Sequence, residues 1–170
     1  MKDGIAIAGT IAVDEIKKID KYPNRSELTA IQSVRRSIGG AVSNCSVSLA
    51  KIDSSLPIEV IALIGHDEKG RFLLSNLEKY KNINLQHIQI MGETPFTDVI
   101  QDSSDHSRTF FSYKGNSSSF NESMIDFRNI NSTILHVGYI LLLDSLDEED
   151  AIYVRNENGK ALENSSRYWY

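Results

Sequence analysis

Four short apolar or alternating runs constrain this chain more than any other feature: Ile5–Ile11, Ile58–Ile64, Leu85–Met91 and Thr133–Tyr139. Each is too short for a core helix and is bounded by turn residues, as strands covered on both faces tend to be. Helical spacing separates them over Ala41–Ile52 and Glu68–Tyr80. Asp67 is placed to cap the second helix, and Gly65 gives a tight exit from the strand before it. Strand–helix–strand alternation implies right-handed crossovers, and so a layered α/β fold around a largely parallel sheet.

Two segments break that rhythm. Glu27–Ile38 mixes polar and apolar residues, and Thr97–Ile100 and Arg108–Tyr113 flank the turn Asp102-Ser-Ser-Asp-His106, which reads as a hairpin. Both are too polar for a doubly covered sheet. They predict a small separate sheet over one end of the main one, where a flap above the carboxyl ends of parallel strands encloses a ligand. A helix starting near Ser145 is expected to fray, and Val154–Tyr170, rich in Asn and Ser, shows no strand pattern and reads as a poorly ordered tail.

Charge and composition narrow the partners. With 170 residues, a net charge of −5 and no basic stripe, the chain is not expected to bind nucleic acid. The one cysteine, Cys45, allows neither an internal disulfide nor a cysteine-based zinc site. No leader pattern opens the sequence, and Ile134–Leu143 falls short of the roughly 20 apolar residues of a membrane span, so a cytoplasmic protein with no membrane partner is expected.

The chemistry-bearing candidates cluster early. Gly39-Gly40 ends a strand-like run and opens a small-residue helix carrying Asn44 on its first turns. Glycines there let a ligand approach the backbone, and the helix start offers free N–H donors. Asp14 follows the first strand run, where a carboxylate suits vicinal hydroxyls, although a solvated acid or helix cap is the blander reading. Gly65-His-Asp-Glu-Lys-Gly70-Arg71 approaches a phosphate-binding loop but lacks its Lys-Ser/Thr, and so reads as a structural turn. His66, His87, His106 and His136 are too scattered for a metal site, and His136 reads as a core residue. Asp147–Asp150 fits the first turn of a helix capped by Ser145 better than a metal cluster, while Asp144 stands between cap and ligand.

In order and spacing, Gly9-Thr-Ile-Ala-Val-Asp14, Gly39-Gly40-Ala-Val-Ser-Asn44 and Gly65-His-Asp67-Glu-Lys-Gly70 closely resemble the amino-terminal half of the ribokinase-like, or PfkB-type, carbohydrate kinases. Phe96-Thr-Asp-Val99, Arg108-Thr-Phe-Phe111 and His136–Asp144 extend the match over roughly residues 4 to 152. The resemblance implies a three-layer α/β fold with a small β lid, incomplete at its carboxyl end. The kinase part is expected over 1–153, with lid pieces at about 27–38 and 97–113 and a divergent tail over 154–170. It further implies that Asp14, Gly39, Gly40 and Asn44 bind sugar hydroxyls, with Asp144 a weaker candidate. The Lys114-Gly-Asn-Ser-Ser-Ser loop departs from the family's Gly-Ala-Asn, which counts against a ligand role for Asn116. ATP and Mg²⁺ are expected for a complete enzyme of this family. The family's catalytic Gly-Ala-Gly-Asp motif does not occur in these 170 residues, so a truncated, inactive form with little or no ATP binding is expected. A nucleoside in place of the sugar, or a non-catalytic module pairing through its lid as a homodimer, are the alternatives.

Overall fold

A computed structural model describes residues 3–147 and, as backbone, two short strands beyond them. Four parallel strands form the main sheet: β1 (Ile5–Gly9), β4 (Ile58–Ile64), β5 (Ile83–Ile90) and β8 (Ile134–Gly138), in the order β5-β4-β1-β8. All seven residues of β4 are buried, as its nearly unbroken apolar run requires. Alternate residues feed two cores. Ile7, Val60, Ala62 and Ile64 pack against α1 (Gly40–Ile52) and α2 (Glu68–Leu77) through Val42, Ala50, Leu73 and Leu77. On the other face Ala6, Ala8, Ile61 and Leu63 meet Phe120, Ile125, Ile130 and Leu143. Each valine, leucine, isoleucine or phenylalanine among them contributes about 1.5–3 kcal/mol when fully buried.

Glu59 is the one acid of β4 and is 5% exposed. Its carboxylate accepts from the Ser132 hydroxyl at 2.5 Å, the Ser132 N–H at 2.8 Å and the Asn131 N–H at 3.0 Å, with His87 Nε2 at 3.3 Å. That set ties the amino end of the sheet to the segment entering β8.

A second sheet, of order β3-β2-β6-β7, stands over the carboxyl ends of the core strands. It comprises β2 (Ala12–Ile19), β3 (Ile31–Gly39), β6 (Phe96–Asp102) and β7 (Arg108–Tyr113). The chain leaves and re-enters the core through paired residues: Ala12 opposes Gly39, and Phe96 opposes Tyr113. The expected hairpin and lid therefore form, with β3 and the hairpin displaced by a few residues from the expected limits.

One strand is a correction. The first run ends at Gly9 rather than Ile11, and the chain turns straight into β2, which the residue pattern does not announce. Asp14 thus lies inside a lid strand, not in a loop after a core strand. His136 is a second correction: β8 is an edge strand, so its residues 134–136 are exposed rather than core. The last described helix, α3 (Asp144–Asp147), starts one residue before the expected cap, and the Ser145 hydroxyl instead donates to the Ser118 carbonyl at 2.8 Å. Glu148–Asp150 and most of the expected tail lie outside the described residues. Within the tail, β9 (Val154–Arg155) and β10 (Ala161–Leu162) pair antiparallel, where the sequence pattern shows no strand. Among the described residues no helix is long and apolar enough to cross a membrane.

Candidate functional site

The lid and the carboxyl ends of the core strands enclose a cleft of about 200 Å³. Asp14 reaches it from β2, Gly40 and Asn44 from the start of α1, and Thr10 from the β1–β2 connection. Phe110 and Tyr113 of β7 and Tyr139 after β8 supply aromatic walls. Three of the residues singled out in the sequence, Asp14, Gly40 and Asn44, therefore meet around one space although up to 30 positions separate them.

Gly39 and Gly40 serve that geometry in different ways. A Cβ on Gly39 would sit 2.6–2.7 Å from the Asp14 carboxylate, so the glycine leaves room for the acid. Gly40 has φ of +82°, and a Cβ there would lie 2.5 Å from the Thr10 carbonyl oxygen. Only glycine accepts that conformation without strain. The turn also frees the start of α1: Gly39 offers no side chain to cap it, and the Val42 N–H bonds the Thr10 carbonyl at 3.1 Å. Burial raises the Asp14 carboxyl above its ordinary pKa. An acid held partly out of water with no compensating partner is a recurrent mark of a functional position.

Asp144 falls elsewhere. It is exposed at the start of α3, outside the cleft lining, and is joined to the cleft only through Lys114, whose ammonium donates to it. Asn116 is turned away from the ligand space: it is 5% exposed and its amide donates to the Met91 carbonyl at 2.7 Å.

The Gly65–Gly70 turn is a joint. The Asp67 carboxylate accepts from the Gly70 N–H at 2.7 Å, capping α2, and from the Thr94 N–H and hydroxyl at 2.9 and 2.7 Å. The Thr94 hydroxyl in turn accepts from the Gly65 N–H at 2.8 Å. Burial pushes the Asp67 carboxyl upward, but these donors outweigh it and hold the group below its ordinary pKa. Pro95, next in sequence, accepts the Val13 N–H at 3.1 Å. The joint therefore fixes β6 beside the strand that carries Asp14.

Thr10, Thr97, Tyr113, Lys114 and Tyr139 were not singled out by sequence pattern as cleft residues. None carries a spacing signal, since the fold alone gathers them. A Thr directly after the glycine that ends a core strand was the one available cue.

Among the described residues no three His, Cys, Asp or Glu side chains converge as a metal site, and the cleft's one cationic side chain, Lys114, is already paired with Asp144.

Comparison with solved structures places the fold among the ribokinases. Thermotoga maritima ribokinase matches with a TM-score of 0.71 at 20% identity over 88% of this chain and 51% of that one. Arabidopsis thaliana ribokinase, solved with ribose and ATP, matches with a TM-score of 0.69 at 19% identity over 81% and 45%. A nucleoside kinase from Methanocaldococcus jannaschii is 28% identical over 138 residues, or 78% of this chain and 43% of that protein. The family model described as "pfkB family carbohydrate kinase" matches residues 3–162, and the chain belongs to that family. It spans about half or less of the length of these relatives.

Proposed function

We propose that this chain provides the substrate-binding floor and lid of a kinase that phosphorylates a sugar hydroxyl. The observation that carries the reading is the convergence of Asp14, Gly40 and Asn44 on one lid-covered cleft. An ionised Asp14 accepts from two ligand hydroxyls, Asn44 both donates and accepts, and the glycines let the sugar rest on backbone. Gly39 acts by leaving space for Asp14, and Asp144 acts through Lys114. The family's catalytic Gly-Ala-Gly-Asp motif does not occur in these 170 residues, so binding without phosphoryl transfer is the expected behaviour of the chain alone. In this reading residues 1–153 form the kinase part and 154–170 a divergent tail.

A nucleoside is the second reading. The aromatic walls Phe110, Tyr113 and Tyr139 favour it, since a flat base stacks on such faces. The 28% identical relative is itself a nucleoside kinase. Titration of the purified chain with D-ribose, D-fructose and adenosine, observed by NMR, separates the two readings. The sugar reading expects shifts at Asp14 and Asn44 with a sugar, lost in Asp14→Ala. Measurable substrate-dependent ATP consumption by the chain alone would contradict the expected lack of turnover. Lid pairing between copies, through the exposed Ile31 and Val34 of β3, is a further proposal. Sedimentation of Val34→Lys against the native chain tests it, with unchanged mass at high concentration counting against it.

A further inference from the structure

Three buried side-chain polar atoms lack a hydrogen-bond partner among the described residues: Thr10 Oγ1, Ser43 Oγ and Asn116 Oδ1. All three belong to segments at the carboxyl end of the main sheet. Thr10 alone of them lines the cleft. Its residue is 4% exposed, and its carbonyl is already engaged by Val42, so the hydroxyl is the group left over. An unpaired buried hydroxyl is costly, and a valine would fill the same volume without that cost.

We infer that the Thr10 hydroxyl is a substrate-contacting group, completed only when a ligand hydroxyl enters the cleft. This rests on the reading of the cleft as a site for a polyhydroxylated ligand. Its chemistry complements that of Asp14. The carboxylate, when ionised, only accepts, so it receives a hydrogen bond from a ligand hydroxyl but leaves that oxygen's lone pairs unread. Thr10 offers a donor from the β1–β2 connection, and with Asp14, which lines the same cleft, forms a pair that distinguishes a hydroxyl from a group with no acceptor. A site built this way discriminates strongly against analogues lacking the hydroxyl, because its own polar groups are then left unpaired.

The test uses the full 170-residue chain as Thr10→Val, Thr10→Ser and Asp14→Asn, with D-ribose, D-fructose and adenosine as probes. Thermal unfolding without ligand is measured beside NMR titration. The expected result is that Thr10→Val unfolds at the native temperature or above, and binds about tenfold more weakly. Thr10→Ser should keep affinity within a few-fold. If Thr10→Val binds like the native chain while Asp14→Asn has lost the ligand, Thr10 is overturned and the cleft assignment stands. If Thr10→Val is destabilised or fails to fold, its hydroxyl is satisfied within the protein and the inference is wrong. If the native chain binds none of the probes, the reading of the cleft falls and this inference with it.

Discussion

Asp14 is where stability and function oppose each other most directly. Its folded pKa is raised by burial, so the folded state binds a proton more readily than the unfolded one. Stability contributed by this group is therefore present at pH values below its ordinary pKa and is lost as pH rises through the folded value. Asp14→Asn should be more stable than the native chain at pH 7, by about 1 kcal/mol or less, while the difference vanishes near pH 3. Calorimetry at the two pH values checks this, and a pH-independent difference would remove desolvation as the cause. The neighbouring glycines should separate by mechanism. Gly40→Ala forces a strained φ against the Thr10 carbonyl and should cost about 1–3 kcal/mol in urea unfolding. Gly39→Ala, whose φ is ordinary, should instead act on Asp14 and show its larger effect in ligand titration.

Among the elements, the joint of Asp67 and Thr94 governs how the lid sits on the core. Thr94→Val strands the Gly65 N–H and removes one donor from Asp67, an expected loss of about 2–3 kcal/mol. Amide exchange should quicken in β6 and β2 more than in β1 and β4, whereas uniform quickening would mean general destabilisation. The folded pKa of Asp67 is depressed, so its contribution is fully present above its ordinary pKa and is lost as pH falls through the folded value. Asp67→Asn should therefore be less stable than the native chain at pH 6, with the gap closing below about pH 4 as urea midpoints converge. The cap of the joint was legible in sequence because an acid between two glycines is a local pattern, whereas its Thr94 partner, 27 positions on, was not. The buried strands were legible too, since unbroken apolar runs need no partner to be recognised. Strand β2 was not, and the reason is physical: Val13, Ile16 and Ile19 fall at helical rather than alternating spacing. Its pairing is carried by backbone and by ion pairs such as Lys17–Asp98 and Glu15–Arg36 at 3.3 Å. Asp14, Gly40 and Asn44 could be named from sequence, but not that a lid strand would carry the acid.

Considered whole, the described part of the molecule has one conspicuously uncovered flank. Parallel strands are ordinarily covered on both faces, yet in β8 Ile134 is 60% and Leu135 37% exposed. Neither a charge nor a proline guards the strand from Ile134 to Gly138, which are the usual protections of an edge. The 170-residue chain alone should self-associate through this flank as concentration rises. Ile134→Lys should lower the sedimenting mass, and an unchanged mass would show that the edge is not the contact. This exposure was hidden in the sequence because Thr133–Tyr139 has the composition of a core strand, and burial depends on what lies alongside. The lid has a different consequence. Since Ala12 opposes Gly39 and Phe96 opposes Tyr113, each excursion departs and returns through a single rung of its ladder. To the core, both are closed doorways of fixed width. Whatever is built beyond them can be exchanged, lengthened or repacked without disturbing the order of the main strands, so the choice of ligand is free to drift while the architecture beneath stays put.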